Sequence, residues 1–183
     1  MHILIVNGST PYPDAKGALT AALVQQYQQC CEQRGWSVET SLTGSFDIVE
    51  EQAKITRADL IIFQFPVYWY QVPSGLKRYL DEILTMDFAY YASEEYAHGP
   101  ALTGKRYLVS TTWAAPETAT KAGGFLARHS LEEIFLTLAL TMKFCGIEKV
   151  KEVPVSFWGV HDKTVKTDYE AVIKGVIGSI DPE

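Results

Sequence analysis

The sequence predicts an α/β protein in which five parallel strands form a doubly wound sheet with helices on both faces. Strand-like and helix-like segments alternate along the chain, which is the pattern of βαβ units. The best-marked strand, residues 60–65, is a nearly continuous apolar run, as expected for a strand buried on both faces. The 183 residues, 47% of them hydrophobic, suit a single domain covering residues 1–183.

Each predicted element is marked by its spacing and by its ends. Leu19, Leu23 and Tyr27 recur at helical spacing, and Gly35 follows where a helix-terminating glycine is expected. Asp47, with a glutamate three residues later, is typical of a helix N-cap. We expect strands over residues 2–6, 36–40, 60–65, 106–111 and 147–155. We expect helices over residues 18–33, 47–57, 73–85, 126–145 and 168–180, of which the fourth is the longest.

Charge and composition exclude several classes of function. The net charge is −6 and no basic stripe is visible, which argues against nucleic acid as a partner. The apolar runs are too short to span a bilayer, and the chain starts with a strand instead of a leader-like segment, so we expect a cytoplasmic protein. The three cysteines lack disulfide-framework or metal-site spacing and the four histidines are scattered, so we expect no metal site.

Three loops follow the carboxyl ends of the first, third and fourth strands, which is the edge where open parallel sheets bind ligands. In the first loop, residues 7–17, the hydroxyls of Ser9 and Thr10, the charge of Lys16 and the N–H groups of the next helix form a natural phosphate cradle. An ordinary connection between a strand and a helix is the alternative.

The second and third loops carry aromatic residues. The second loop, residues 66–73, is bounded by prolines and holds three consecutive rings at residues 68–70, which would suit a flat aromatic ligand. The alternative is that these rings only cover the core. In the third loop, residues 112–124, small residues and free N–H groups beside Trp113 suit the polar edge of a ring system, and a loop around a packed tryptophan is the alternative.

The chain lacks the patterns of other nucleotide sites and of side-chain nucleophiles. No G-x-G-x-x-G opens the first helix, which disfavours a separate dinucleotide site. Residues 99–105 imitate a P-loop, but they precede a strand instead of following one. No serine or cysteine has a credible base nearby in sequence. His129, just after the third loop, is a candidate proton donor, and a structural or exposed histidine is the alternative.

A further connection, residues 85–103, is long and rich in rings. We expect it to cover a ligand or a partner subunit. Its aromatic residues and histidine are Phe88, Tyr90, Tyr91, Tyr96 and His98.

Four motifs occur in an order that is specific to one family. They lie at residues 3–8, at residues 16–20, at residues 64–69 with 77–82, and at residues 104–116. The most telling are Gln-x-Pro-x-x-Trp in the second loop and Trp-x-Ala-Pro in the third. Through them the chain resembles, over residues 2–160, the flavodoxin-like NAD(P)H:quinone oxidoreductases, and within them the modulator-of-drug-activity B type.

The resemblance implies a flavin cofactor, FAD more than FMN, with NAD(P)H as co-substrate and a quinone as acceptor. The first loop would hold the diphosphate, the second would pack along the isoalloxazine, and the third would contact the polar rim through backbone groups. A tyrosine of the long connection would also reach FAD, and the partner subunit of a homodimer would complete the pocket. The residues assigned to the cofactor in this way are Ser9, Lys16, Gly17, Ala18, Leu19, Pro66, Val67, Tyr68, Trp69, Tyr96, Thr112, Trp113, Ala114 and Ala115.

The chain departs from the family pattern in two places. Mammalian quinone reductases carry a Tyr and a His after the third loop that assist hydride transfer, whereas residues 118–121 offer neither. Val67 and Tyr68 stand where the most similar family branch favours Gly and Trp. Both departures imply a pocket shape, and hence a substrate range, of this chain's own.

The resemblance also implies a mechanism. NAD(P)H would give a hydride to the flavin and leave, and a quinone would then take the same slot and become a hydroquinone. Because the flavin carries the chemistry, this scheme needs no catalytic side chain. The alternatives are a flavodoxin-like electron carrier, an ancillary oxidoreductase subunit of an ion-efflux system, and an FMN-dependent azoreductase. The residues themselves accommodate FAD or FMN, and NADH or NADPH.

Overall fold

A computed structural model describes residues 1–13, 15–151 and 154–181. The strands are β1 His2–Asn7, β2 Ser37–Leu42, β3 Leu60–Pro66, β4 Arg106–Thr112, β5 Glu148–Lys149 and β6 Val155–Phe157. The α-helices are α1 Ala18–Gln33, α2 Ile48–Arg57, α3 Ser74–Ile83, α4 Leu131–Ile134, α5 Leu136–Cys145 and α6 Tyr169–Gly178, and a 3₁₀ helix covers Glu117–Thr120. Within these residues no helix has the length and apolar character needed to cross a membrane.

All strands run parallel in one sheet, in the order β2-β1-β3-β4-β5, with β6 also paired to β4. This is the flavodoxin-like doubly wound order, so the predicted fold class is confirmed. The order reverses between β1 and β3. The connections that leave these two strands therefore run in opposite directions and open a crevice at their carboxyl ends.

The sheet is buried between two apolar layers. On β3, Ile61 and Phe63 pack with α2, α3 and α5, whereas Leu60 and Ile62 pack with α1 and α6. Burial on both faces explains why this strand shows no alternation of polar and apolar residues. With both faces covered by helices, a ligand can reach the central strands only at their ends.

Local signals at the ends of helices were predicted correctly. Helix α1 has the predicted bounds, and Gly35 beyond it has the left-handed φ of 74°. The Asp47 carboxylate accepts a hydrogen bond of 2.9 Å from the N–H of Glu50, as predicted for the N-cap of α2. Apart from the fourth helix and the fifth strand, the other elements differ from their predicted bounds by one or two residues.

The helix predicted over residues 126–145 is wrong in its first part. Ser130 and Glu133 form a reciprocal capping box that starts α4, and Phe135, with φ −100° and ψ 19°, separates α4 from α5. Leu126 is buried and donates its N–H to the Ala119 carbonyl at 2.8 Å, so the third loop holds it instead. Among the described residues, the longest helix is α1 with 16 residues.

The strand predicted over residues 147–155 is two short strands on the same side of β4. β5 pairs with the first two residues of β4, Arg106 and Tyr107, and β6 pairs with residues 110–112 at its end. Residues 152 and 153 of that prediction lie outside the described residues, as does residue 14 of the first loop. The break brings the chain after β6 to the same edge as the three predicted ligand loops.

Candidate functional site

The loops after β1, β3 and β4 meet at the carboxyl edge of the sheet. The N–H of Gly8 donates to the Gln64 carbonyl at 2.9 Å, which joins the first loop to the end of β3. The N–H of Val67 donates to the Thr112 carbonyl, also at 2.9 Å, which joins the second loop to the third. The three segments predicted to bind one ligand therefore lie side by side, next to the point where the strand order reverses.

The first turn of α1 presents backbone N–H groups that no side chain caps. Its N-cap residue, Gly17, makes no side-chain hydrogen bond, and no acidic residue lies in the first turn. The N–H groups of Ala18 and Leu19 therefore carry the positive end of the helix dipole toward the sheet edge. Lys16 is exposed next to them. This arrangement suits a phosphate or another anion.

The first loop is closely packed around a glycine. Gly17 has a φ of 77°, and a Cβ at this position would lie 2.9 Å from the Ser9 Oγ. The Asn7 Oδ1 in turn accepts hydrogen bonds from the Ser9 N–H at 3.1 Å and from the Ser9 hydroxyl at 2.7 Å. A side chain at position 17 would therefore displace the hydroxyl that faces the start of α1.

The second loop is a tight turn that places Trp69 in solvent. Tyr68 and Gln71 exchange backbone hydrogen bonds of 3.2 and 3.0 Å. Between them, Trp69 and Tyr70 have φ values of 50° and 62°. This left-handed conformation costs side-chain-bearing residues roughly 1–2 kcal/mol each. Trp69 exposes 92% of its surface. Strain of this kind clusters at functional sites, and here it presents a ring to the sheet edge.

The third loop combines a packed side chain with free backbone groups. The Trp113 ring is buried; it stacks on Trp158 with 4.6 Å between ring centroids, and its Nε1–H donates to the Thr111 Oγ1 at 2.9 Å. For this ring the alternative of a packed tryptophan is therefore correct. The N–H groups of Ala114 and Ala115 have no hydrogen-bond acceptor within the part of the chain that the structure describes. The loop thus offers N–H donors to a ligand.

One predicted site residue lies away from these loops within one chain, and the candidate proton donor is exposed. Tyr96 packs against Phe144 in the last turn of α5, with 5.6 Å between ring centroids. Because α5 leads directly into β5, this end of the helix lies at the amino edge of the sheet, opposite to the three loops. His129 is exposed, and its Nδ1 lies 3.9 Å from the Glu133 carboxylate at the start of α4.

An open groove between α3 and α5, which we call the α3–α5 groove, has a volume of about 670 Å³. Leu80 and Leu84 line it from α3, and Leu140 and Phe144 line it from α5, with Tyr96 beside them. The groove lies on a face of the molecule and lacks the N–H donors of the three loops. Lys77, Asp81 and Lys143 also line it, so the groove combines apolar and charged side chains, as protein interfaces do.

Burial lowers the reactivity of two cysteine thiols. Burial raises the pKa of Cys31 to about 12 and that of Cys145 to about 11, so both thiols are neutral and weakly nucleophilic at neutral pH. No group of three or more His, Cys, Asp or Glu residues in the described ranges is placed to hold a metal ion. Burial also raises the pKa of the Tyr68 phenol, which keeps its hydroxyl a hydrogen-bond donor.

Sequence reasoning missed residues that support the loops from outside. Phe125 stacks on Tyr70, with 5.8 Å between ring centroids and 26° between planes, and joins the third loop to the second. The N–H of Gly159, after β6, donates to the Ala115 carbonyl at 2.8 Å. Gly159 and Trp158 follow a strand that was not predicted separately. Because ligands bind at the carboxyl ends of parallel strands, a separate prediction of β6 would have placed Trp158 and Gly159 at the ligand edge.

The donor set at the edge fits one kind of ligand. The uncapped start of α1 suits an anionic tail, the exposed Trp69 suits a flat ring, and the N–H groups of Ala114 and Ala115 suit a ring edge that carries carbonyl oxygens and nitrogens. A flavin nucleotide combines these three features. The residues present therefore fit the cofactor that the resemblance implies.

The sequence is similar to those of known proteins. A family model described as a flavodoxin-like fold matches residues 1–175. The chain is 27% identical over 162 residues to the NADPH:quinone oxidoreductase MdaB of Haemophilus influenzae, covering 82% of this chain and 84% of that protein. It is 40% identical over 112 residues to the ribosyldihydronicotinamide dehydrogenase (quinone) of Homo sapiens, covering 61% of this chain and 47% of that protein.

Solved structures share the fold. A putative quinone reductase from Klebsiella pneumoniae matches with a TM-score of 0.80 at 20% identity, covering 98% of this chain and 84% of that one. General stress protein 14 from Treponema denticola, solved in complex with FMN, matches with a TM-score of 0.71 at 22% identity, covering 97% and 95% of the two chains. Because the family model matches nearly the whole sequence and the sheet has the corresponding strand order, this protein belongs to the family with the flavodoxin-like fold.

Proposed function

We propose that this protein is a flavin-dependent NAD(P)H:quinone oxidoreductase that reduces quinones to hydroquinones in two-electron steps. The observation that carries the proposal is the meeting, at one sheet edge, of the uncapped start of α1, the exposed Trp69 ring and the free N–H groups of Ala114 and Ala115. The two relatives support the proposal, since one is named a quinone oxidoreductase and the other a quinone dehydrogenase.

The cofactor in this proposal is FAD, with its diphosphate at the first loop. Lys16, the Ser9 hydroxyl and the N–H groups of residues 17–19 would meet the phosphate oxygens. Residues 66–69 would cover the ring. Within residues 112–115, the free N–H groups of Ala114 and Ala115 would donate to its polar rim. FMN, which one of the similar structures contains, would use the same ring contacts and the same phosphate cradle.

A bound flavin would supply the two-electron chemistry by which NAD(P)H, a proton and a quinone would become NAD(P)⁺ and a hydroquinone. The chain's own residues bind and orient. The dipoles of the Ala114 and Ala115 N–H groups stabilise negative charge at the ring edge. Both substrates use one slot in ping-pong order, and no side chain is asked to transfer a proton.

The proposal includes a homodimer in the cytoplasm. In a single chain Tyr96 lies at the opposite edge from the three loops and exposes 90% of its surface. A contact between Tyr96 and a bound flavin would therefore have to be made to the site of a partner subunit. The three cysteines, which are all unpaired and buried, suit a reducing compartment.

The proposal is tested by an anaerobic titration of the FAD-loaded protein with NADPH, and separately with NADH, while the visible flavin absorption is recorded. We expect stoichiometric bleaching by at least one of the two nucleotides, followed by recovery of the absorption when a quinone is added. Free FAD at the same concentration is the control, because it reacts slowly with reduced nicotinamides on its own.

Two results would overturn the proposal, and a third would overturn its acceptor class. If FAD and FMN both fail to bind, the sheet edge is not a flavin site. If the flavin binds but stays oxidised with NADPH and with NADH, the protein is an electron carrier. If reduction occurs and azo dyes reoxidise the flavin much faster than quinones, the acceptor class is corrected to azo compounds.

A further inference from the structure

Four residues link the first loop to the second loop and to the start of α3, and we call them the cross-loop brace: Thr10, Tyr12, Tyr68 and Gly75. The hydroxyl of Tyr68 donates to the Thr10 carbonyl at 3.3 Å. The Tyr12 and Tyr68 rings meet edge to face, with 5.2 Å between centroids and 70° between planes. These contacts join segments that lie 58 residues apart in sequence.

The third link of the brace is a close approach between Thr10 and Gly75. The N–H of Gly75 donates to the Thr10 Oγ1 at 3.0 Å, so Thr10 satisfies a free donor in the first turn of α3. A Cβ at position 75 would lie 2.7 Å from the same Oγ1. Thr10 is therefore held from two sides, by Tyr68 through its carbonyl and by Gly75 through its hydroxyl.

Tyr68 and Trp69 are adjacent, but their side chains differ in surroundings. The Trp69 ring is almost fully exposed, whereas the Tyr68 side chain is half-buried and makes its polar contact with the first loop. Burial raises the pKa of the Tyr68 phenol, so the hydroxyl remains a donor to Thr10 across the physiological range. The resemblance assigned both residues to the cofactor ring; the contacts of Tyr68 assign its side chain to the loop that would hold the phosphate.

We propose that Tyr68 is a positioning residue that holds the phosphate-binding loop, residues 7–17, in register with the ring-binding loop. The inference rests on the proposed function. Among the described residues 8–13 and 15–17, the backbone hydrogen bonds that lie within the loop are the pair between Tyr12 and Ala15, and the Gly8 N–H anchors the loop to β3. An unbraced loop of this kind would have to be ordered by the ligand, at a cost in binding free energy. The brace supplies that order before the cofactor arrives.

If Tyr68 positions the phosphate-binding loop, its loss should affect ligands with and without phosphate differently, which loss of a ring contact would not do. Loosening the first loop weakens only the part of the affinity that comes from phosphate contacts. FMN and FAD carry phosphate and would bind less tightly, whereas riboflavin has the same ring and no phosphate and would bind as before. A residue that packs on the ring would affect all three ligands equally.

The test compares the wild-type protein with Tyr68→Phe, which keeps the ring and removes the hydroxyl. Dissociation constants for FMN, FAD and riboflavin are measured by quenching of flavin fluorescence on the full-length protein. We expect FMN and FAD to bind about three- to tenfold less tightly in the variant, the effect of losing one neutral hydrogen bond, while riboflavin changes less than about twofold. Tyr169→Phe, at a half-buried tyrosine in the first turn of α6 and outside the brace, is the matched control.

Gly75→Ala perturbs the brace at its contact with the Thr10 hydroxyl. This second variant tests the inference independently if Tyr68→Phe folds poorly. Its Cβ displaces the Thr10 hydroxyl, so we expect the same selective loss for the phosphorylated flavins. Equal weakening for riboflavin and FMN would overturn the inference in favour of a ring contact, and unchanged affinities would overturn it outright. A wild-type protein that binds no flavin would instead overturn the proposed function, and that result is visible before any variant is made.

Discussion

Trp69 is a large apolar side chain that the fold holds in solvent in a left-handed backbone conformation. Neither feature stabilises the folded chain, because an exposed ring gains no free energy from burial and the positive φ adds backbone strain. A ligand that covers the ring would bury its apolar surface and gain the corresponding free energy. We therefore expect the Trp69 side chain to contribute to ligand binding and little to the stability of the fold.

Replacing Trp69 with Ala tests this separation. We expect the free energy of unfolding to change by less than about 0.5 kcal/mol, since the ring has almost no protein contacts to lose. Flavin affinity should fall about tenfold or more, because a buried aromatic contact is typically worth 1.5–3 kcal/mol. Chemical denaturation gives the first quantity and flavin fluorescence the second.

Trp69→Phe is the control for that experiment, since it keeps a ring at the same position and should retain most of the flavin affinity. Unchanged flavin affinity in Trp69→Ala would exclude a contact between this ring and the cofactor.

At the scale of elements, glycines have opposite effects at the end and in the interior of a helix. Gly146 follows α5 with a φ of 83°, and a Cβ there would lie 2.9 Å from the Pro100 Cβ and 3.0 Å from the Thr103 Cγ2. Gly175 lies inside α6 with open space around the position of its missing Cβ. The first glycine is required by its backbone and neighbours, and the second only adds flexibility to the unfolded chain.

The pair gives a matched prediction for stability. Gly146→Ala should lower the free energy of unfolding by about 2 kcal/mol or more, from the left-handed backbone and from overpacking against residues 100 and 103. Gly175→Ala should raise it by about 0.5–1 kcal/mol, the difference in helix propensity. Urea denaturation of both variants measures the two shifts, and a stabilising Gly146→Ala would contradict the structure of this helix end.

At the scale of the whole molecule, the α3–α5 groove leaves apolar side chains in solvent. Leu136 and Leu140 expose 52% and 55% of their surfaces, one turn apart on α5, and Tyr96 stands next to the groove with 90% exposed. A contiguous apolar face of this kind typically contacts another protein surface. In a homodimer, a second copy of the chain would cover it.

Leu140→Glu tests that arrangement by placing a charge in the centre of the exposed face. We expect the molar mass from light scattering to fall from that of two chains to that of one. Flavin affinity should fall with it if the partner subunit contributes Tyr96 to the site. Val49→Glu, at a more exposed apolar residue in the first turn of α2, should leave the mass unchanged. A wild-type protein that has the mass of one chain at micromolar concentration would contradict the homodimer.

Local patterns predicted most elements because their causes are local. The unbroken apolar run of β3, the helical spacing of α1 and the N-cap Asp47 need only neighbouring residues to be read. The error at residues 126–130 has a local cause as well. Ser130 and Glu133 form the Ser-x-x-Glu pattern of a capping box, and this start signal was overlooked in favour of a longer helical spacing.

The fold class and the three loops that gather at the ligand edge could be predicted from the sequence alone, whereas the strand order came from the structure. The two predicted features follow from apolar periodicity and from chain connectivity, which any reader of the sequence can trace. The surroundings of the individual side chains came from the structure. Trp113 packs inside on Trp158, whereas Trp69 stands in solvent. Tyr68 contacts the first loop, and Tyr96 lies at the opposite edge. The reason is that these roles depend on contacts between residues far apart in sequence, and spacing along the chain carries no record of the direction in which a loop side chain points.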